Sequence, residues 1–205
     1  MEHKRIVVAG TDTGVGKTMV AAMLTLGLDA CYFKPLQSGT HGGTDTERVK
    51  ALTGLSPAHF LPERYVFSRP LSPHRASELD GVEINPRALT LPPPASRPLV
   101  VELAGGLLVP VTRSLLQVDV LASWRVPVVL CARTSLGTIN HTLLSTEALH
   151  QRGIEVLGVA FVGEANEDSE RTICSFAAVR RLGRLPWIKK PTAAALRKVF
   201  KGFTL

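Results

Sequence analysis

Aromatic side chains make up only 5% of the 205 residues, too few for a single-strand nucleic-acid binder built on exposed stacking rings. No apolar run reaches the roughly 18 residues that a membrane helix requires. The chain passes from its first residues straight into a strand-like run, without the apolar core of a signal peptide. A cytoplasmic protein with no membrane partner is expected. Cysteine is scarce: Cys31, Cys131 and Cys174 are odd in number and far apart, which argues for reduced, mostly buried thiols rather than a disulfide frame or a zinc site. Acidic residues are absent from the last stretch, where nine Lys or Arg follow from Arg171 onward, leaving −2 of the overall +7 for residues 1–170. Such a tail is compatible with nucleic acid. Core-like residues interrupt it, however (Leu182, Leu185, Trp187, Leu196, Phe200), so a solvated face over an ordinary final unit is the better reading, and no nucleic-acid partner is expected.

What is present is an ordinary globular composition, 45% apolar and 20% charged, with enough Val, Leu and Ala for a buried core. The length fits one domain spanning residues 1–205. Residues 5–9, 31–34, 99–103, 126–131 and 156–162 are β-rich. Several are continuously apolar, as parallel strands covered on both faces are. Helical candidates alternate with them at 17–29, 45–52, 114–124, 140–151, 168–181 and 193–201. This alternation predicts an α/β fold, a doubly wound, mainly parallel sheet with helices on both faces. Gly153 marks a helix stop before the strand at 156. Residues 55–97 hold most of the prolines and read as an irregular excursion with one short helix, around 76–79 or 86–89. Excursions of that size are usually functional or flexible.

The run after the first strand is Gly10-Thr11-Asp12-Thr13-Gly14-Val15-Gly16-Lys17-Thr18. Glycines let backbone N–H groups converge on phosphate oxygens with no Cβ in the way. A helix opening at Lys17 adds the partial positive charge of its N-terminus. Lys17 suits the β- and γ-phosphates, and the Thr18 hydroxyl suits Mg²⁺. Five residues rather than four separate Gly10 from Gly16, yet strand, loop and helix stand in the required order. The loop predicts a P-loop nucleotide site through Thr13, Gly14, Val15, Gly16, Lys17 and Thr18.

That loop, with its five-residue spacing, resembles the form used by the dethiobiotin synthetase family. So do Tyr32-Phe33-Lys34-Pro35-Leu36-Gln37-Ser38-Gly39, Ser72-Pro73-His74, Val101-Glu102 followed by Ala104-Gly105-Gly106, and Ser135-Leu136-Gly137-Thr138-Ile139-Asn140-His141. Gly183 with Leu185-Pro186-Trp187 resembles the family's C-terminal nucleotide-side loop, so the likeness runs from residue 5 to residue 187. It implies ATP-dependent ring closure. The diamine 7,8-diaminopelargonic acid takes up CO₂ as a carbamate, the γ-phosphate of ATP activates the carbamate, and the second amine closes a ureido ring. Two anions must meet in such a site, and lysines with a metal ion neutralise them. By resemblance, Lys17 and Lys34 are catalytic, and Thr18, Asp45 and Glu102 hold Mg²⁺. Lys34, Ser38, Gly105, Gly106, Gly137 and Asn140 contact the diamine, and Glu102, Gly163, Leu185 and Pro186 lie on the nucleotide side. A homodimer is implied as well, the helix opening at Gly137 receiving the partner substrate's distal carboxylate. Glu102 also has an independent argument, since it ends a strand where ligands of open α/β sheets bind. Asp45 is open to a second reading, as N-cap of the helix beginning near Thr46.

Three positions depart from the family pattern: Leu103 replaces a frequent glycine, Gly14 an acid that some members carry, and Gly163-Glu164 an asparagine used by some members to read adenine. Base preference stays open. The competing reading is a P-loop switch ATPase of the partitioning or cofactor-maturation type. Those proteins place a second lysine five residues before the loop lysine, where this chain has Asp12.

Overall fold

The computed structural model describes residues 4–205; residues 1–3, part of the stretch read above for a leader, lie outside them. The elements run β1 (Arg5–Gly10), α1 (Lys17–Gly27), β2 (Cys31–Phe33), β3 (Leu36–Ser38), α2 (Asp45–Thr53), β4 (Tyr65–Phe67), α3 (Pro73–Leu79), β5 (Leu99–Glu102), α4 (Gln117–Trp124), β6 (Val128–Arg133), α5 (Thr138–His150), β7 (Val156–Val162), α6 (Glu167–Ala177), β8 (Arg181–Leu185) and α7 (Ala193–Phe200). Six strands form one parallel sheet in the order β2-β5-β1-β6-β7-β8. β1, β5 and β6 are buried almost throughout, which is why they read as unbroken apolar runs. Helices cover both faces. α1 and α7 pack on one side through Val20, Leu24 and Leu196; α4 and the end of α5 pack on the other through Val118, Leu121 and Leu149. The predicted doubly wound parallel α/β fold is the one observed.

The chain visits β5, left of β1, and then crosses to β6 on its right. The crevice outside the carboxyl ends of these strands is therefore a topological switch point, where open α/β sheets bind ligands. Lys34, Glu102, Thr134, Gly163 and Pro186 each follow or end a strand at that edge.

The structure differs from the sequence reading in several places. The helix expected over 168–181 ends at Ala177, with Ala178 left-handed at φ 52°, and Arg181–Leu185 becomes the edge strand β8 instead. Its inward residues Leu182 and Leu185 complete the core under α7. The helix expected from 114 starts at Gln117, because residues 111–115 close a turn in which the Val111 N–H donates to the Leu115 carbonyl at 2.8 Å. β3 and β4, too short to show a period, form a separate parallel pair. The region 55–97 holds β4, α3 and two 3₁₀ turns (Pro57–His59 and Pro86–Ala88), so both alternative helix positions are used. A small core of Leu36, Phe67, Ala76, Ile84 and Leu89 closes against Val111 and Val120. Gly153 has φ 64° and ends α5 as expected. The basic tail is largely structural: α7 buries Leu196 and rests on α1. All three cysteines are unpaired.

Glu170 of α6 is buried and joins two of the tail's cations, with Arg181 Nε at 2.6 Å and Arg184 Nη1 at 2.7 Å. Burial by itself would raise the Glu170 pKa; the two guanidiniums outweigh it and hold the carboxyl below its ordinary value. The stability this group contributes is therefore present above the ordinary glutamate range, about pH 4.3, and lost as the pH falls. Glu170→Gln is expected to lower unfolding stability by about 1.5–3 kcal/mol at neutral pH, the range of a charged hydrogen bond. Urea titrations should show that gap closing as the pH falls below the ordinary glutamate range. A gap unchanged across the range contradicts the assignment.

Candidate functional site

The phosphate loop leaves the carboxyl end of β1 and turns into α1 at Gly16, whose φ is 95°, a value that side-chain-bearing residues avoid. A Cβ there would also meet Val162 of β7 at 2.8 Å. Gly16 therefore lets the loop lie against the end of β7. α1 opens with no side-chain cap, and so does α5 on left-handed Gly137, whereas Thr44, Asn166 and Thr192 cap α2, α6 and α7. Uncapped amides beside a glycine loop are suited to anions. Lys17 is buried, and among the described residues its ammonium meets only the Asp12 carbonyl, at 2.8 Å. Burial chiefly, with the nearby Lys34 charge, lowers its pKa. A buried cation without a carboxylate partner is well matched to a phosphate.

Lys34 follows β2 directly, and Asp45 is the first residue of α2. The Lys34 ammonium lies 2.8 Å from Asp45 Oδ2 and 3.0 Å from Glu102 Oε1. The Thr18 hydroxyl lies 3.1 Å from Asp45 Oδ1 and 2.9 Å from Glu102 Oε1. Asp45 is not the helix cap: Thr44 takes that place in a capping box with Glu47, which frees the Asp45 carboxylate for Lys34 and Thr18. Burial opposes charge on Lys34, but the two carboxylates outweigh it and raise its pKa. Burial likewise opposes charge on Asp45, and Lys34 and Thr18 hold it lowered. The pair is therefore ionised at neutral pH.

Tyr32 is a residue to which the sequence reading gave no role of its own. It is fully buried in β2, and its hydroxyl donates to Glu102 Oε2 at 2.8 Å. Glu102 is thereby held at both oxygens. Nothing in the strand's composition signals this, since an apolar run accepts a tyrosine for its ring alone. Gln37 is similar: its Oε1 accepts from the Asp45 N–H at 3.1 Å, and its Nε2 donates to the Gly39 carbonyl at 2.8 Å.

Lys34, Asp45, Ser38, Thr13 and Gly105 line an open cavity of about 400 Å³, with Ser72 and Pro73 of the excursion on its far wall. Ser38 Oγ is buried with no hydrogen-bond partner among the described residues. A second cavity of about 280 Å³ adjoins it, lined by Thr11, Asp12, Gly106, Leu108, His141 and Leu144. Gly105 and Gly106 form part of the wall between the two, and Gly106 packs on the Asp12 backbone. Gly137 and Asn140 are exposed and line neither cavity. Gly163 and Leu185 meet at the ends of β7 and β8, where the Gly163 N–H donates to the Leu185 carbonyl at 3.0 Å; Pro186 follows. The structure thus gathers Lys17, Thr18, Lys34, Asp45 and Glu102 in one charged cluster, sets Ser38 and Gly105 beside it, and leaves Gly137 and Asn140 apart.

Thr18, Asp45 and Glu102 offer only oxygen donors, the hard set that Mg²⁺ accepts. Among the described residues no group of three or more His, Cys, Asp or Glu gathers as a self-sufficient metal site. An ion here fits only if phosphate and water complete its shell, as Mg²⁺ commonly requires.

Fold and site together define a P-loop nucleotide-binding protein, and comparison with known proteins agrees. A family model described as an AAA domain matches residues 4–195. An ATP-dependent dethiobiotin synthetase BioD of Bradyrhizobium sp. (strain BTAi1) is 58% identical, covering 95% of this chain and 92% of that protein. The protein of that name from Nitrobacter hamburgensis is 56% identical, covering 98% and 95%. Among solved structures, the septum site-determining protein MinD of Pyrococcus horikoshii, complexed with Mg-ADP, covers 96% of this chain and 94% of its own at TM-score 0.57 and 12% identity. A ParA family ATPase from Chlorobium tepidum covers 98% and 97% at TM-score 0.54 and 13% identity. These two share the fold. The chain belongs to the ATP-dependent dethiobiotin synthetase family.

Tyr32→Phe keeps the ring and removes the hydroxyl, leaving Glu102 Oε2 buried without its donor. It is expected to lower unfolding stability by about 1–3 kcal/mol in denaturant titrations. A stability equal to wild type would mean that Glu102 does not depend on this bond.

Proposed function

We propose that the chain is an ATP-dependent dethiobiotin synthetase acting on 7,8-diaminopelargonic acid, CO₂ and ATP. The observation that carries the reading is the placement of two buried lysines. Lys17 stands in the phosphate loop without a carboxylate partner, and Lys34 stands at the wall of the adjoining cavity, held by Asp45 and Glu102. A loop for a triphosphate and a cavity for a second substrate share one wall, as phosphoryl transfer to a carbamate requires.

In this reading one amine of the substrate adds to CO₂ and loses a proton, giving the carbamate. A carbamate oxygen attacks the γ-phosphorus and ADP leaves with the bonding electrons. The second amine attacks the carbonyl carbon, phosphate leaves, and the ureido ring closes with loss of a proton. Lys17 neutralises charge on the β- and γ-phosphates. Lys34 stands between carbamate and γ-phosphate, with charge fixed by its two carboxylates before substrates arrive, so little reorganisation remains. Thr13, Gly14, Val15 and Gly16 wrap the phosphates. Ser38, whose hydroxyl has no partner among the described residues, and the backbone of Gly105 and Gly106 hold the diamine. Gly163, Leu185 and Pro186 border the base. Thr18, Asp45 and Glu102 would hold Mg²⁺, which would draw charge from the bridging phosphate oxygens when bound.

A homodimer explains why Gly137 and Asn140 line neither cavity of their own chain. They would serve the neighbouring copy, receiving the diamine's distal carboxylate at the uncapped start of α5. No described helix is long and apolar enough to cross a membrane, which suits a cytoplasmic enzyme. The likeness to MinD and ParA proteins, at 12–13% identity, bears on fold alone, and Asp12 stands where a switch ATPase would have its second lysine.

The test is coupled ADP release with the diamine, bicarbonate and Mg²⁺. ADP should appear only with the diamine present, and Lys17→Ala and Lys34→Ala should each lose turnover by about 10²–10³-fold, the cost of removing one preorganised charge. Nucleotide hydrolysis indifferent to the diamine would overturn the synthetase reading and favour the switch.

A further inference from the structure

We infer that Gln117, the first residue of α4, is a positioning residue for the diamine. One buried side-chain amide sets the backbone of residues 104–106 against the phosphate loop. The inference rests on the synthetase reading, in which that backbone contacts the diamine, and it names the group that makes the contact possible.

The sheet stops supporting this segment early. β5 ends at Glu102, and the last ladder-like bond is Leu103 N–H to the Val8 carbonyl at 3.1 Å. Beyond it the chain must turn across the crevice without a neighbouring strand, through Gly105 at φ 65°. Gln117 supplies the missing edge. Its Oε1 accepts from the Ala104 N–H at 3.1 Å, and its Nε2 donates to the Ala104 carbonyl at 2.8 Å and to the Gly106 carbonyl at 3.0 Å. The side-chain amide thus satisfies the segment as a peptide group of an adjacent strand would. Two backbone bonds tie the same helix start to the rest of the loop: Gln117 N–H to the Val109 carbonyl at 2.9 Å and Val118 N–H to the Leu107 carbonyl at 3.0 Å.

Gln117 is 3% exposed, so water does not compete for these bonds. Their pattern also decides which backbone groups stay free. Ala104 N–H and the Ala104 and Gly106 carbonyls are taken by Gln117; the Gly105 and Gly106 N–H groups are used by no described protein group. Those two donors sit in the wall between the cavities, with Gly105 close to the Thr13 hydroxyl. A ligand acceptor can use them only while the segment keeps this orientation. Leu103 bears on the same point. Where a glycine would let the backbone rotate, this chain has a buried leucine, and the side chain of Gln117 fixes residues 104–106 directly after it.

The chemistry singles out glutamine. A carboxylate at 117 keeps an acceptor for Ala104 N–H but sets its second oxygen against two carbonyls; leucine keeps the volume and removes all three bonds. Q117L and Q117E are compared with wild type by steady-state ADP release, varying diamine and ATP separately. KM for the diamine should rise about tenfold or more, as small displacements of positioning groups do, while KM for ATP stays within about twofold. A purely structural role would lower the denaturation midpoint without separating the two constants. A diamine KM within twofold of wild type in a folded variant overturns the inference, as does a parallel rise in both constants. Where Q117L does not fold, Q117E gives the same split. Wild-type protein without diamine-dependent ADP release removes the synthetase reading and this inference together. An active wild type with unshifted variants removes the inference alone.

Discussion

A carboxylate that is 1% exposed has to be compensated inside the protein, and Glu102 is compensated by groups from two separate parts of the chain, the start of α1 and the end of β2. Its Oε1 meets Lys34 and Thr18, and its Oε2 meets Tyr32. The strands that bring these residues together are neighbours in the sheet: β2 pairs with β5, and β5 pairs with β1. The strand order is thus also the order in which charge is assembled. Asp45 completes the set from α2, whose cap is supplied by Thr44 so that the aspartate is spared for the cluster. Removing Lys34 would leave the Glu102 charge buried without its cation, a cost of several kcal/mol. The cluster therefore ties local geometry to fold stability.

That arrangement gives the two lysines different characters. Lys34 is fully paired before any ligand arrives, while Lys17 rests on a backbone carbonyl with its charge opposed by burial. The phosphate loop and the loop after β5 lie in contact, through Gly106 on Asp12 and Gly105 beside Thr13. The two cavities and the phosphate loop are thus held together by backbone packing, with the Gln117 side-chain amide fixing the backbone of residues 104–106.

Much of this was legible in the sequence, for physical reasons. The unbroken apolar runs of β1, β5, β6 and β7 admit few alternatives to a covered parallel sheet, and Gly10 to Thr18 states its chemistry in residue types. Lys34, Asp45 and Glu102 came from resemblance, Glu102 also from its position at a strand end, and the structure brings Lys34 within ion-pair distance of both carboxylates. What escaped is equally instructive. β3 and β4 have three residues each, too short for a period. β8 was hidden because its Arg-rich face continues the charge pattern of α6, and the left-handed turn at Ala178 leaves no mark in composition. Tyr32, Gln37 and Gln117 were invisible because their roles lie in side-chain hydrogen bonds to distant parts of the chain. Neither spacing nor polarity distinguishes a buried glutamine that supports a loop from one on a helix surface.

The central claim is that the site brings a γ-phosphate onto a carbamate. Transfer of oxygen between them tests it directly. With freshly dissolved C¹⁸O₂ in ordinary water, the diamine and MgATP, each turnover should place one labelled oxygen in the released phosphate and leave the other in the ureido carbonyl, both read by mass spectrometry. Unlabelled phosphate released alongside labelled product would mean that the carbamate never attacks phosphorus, and would contradict the account.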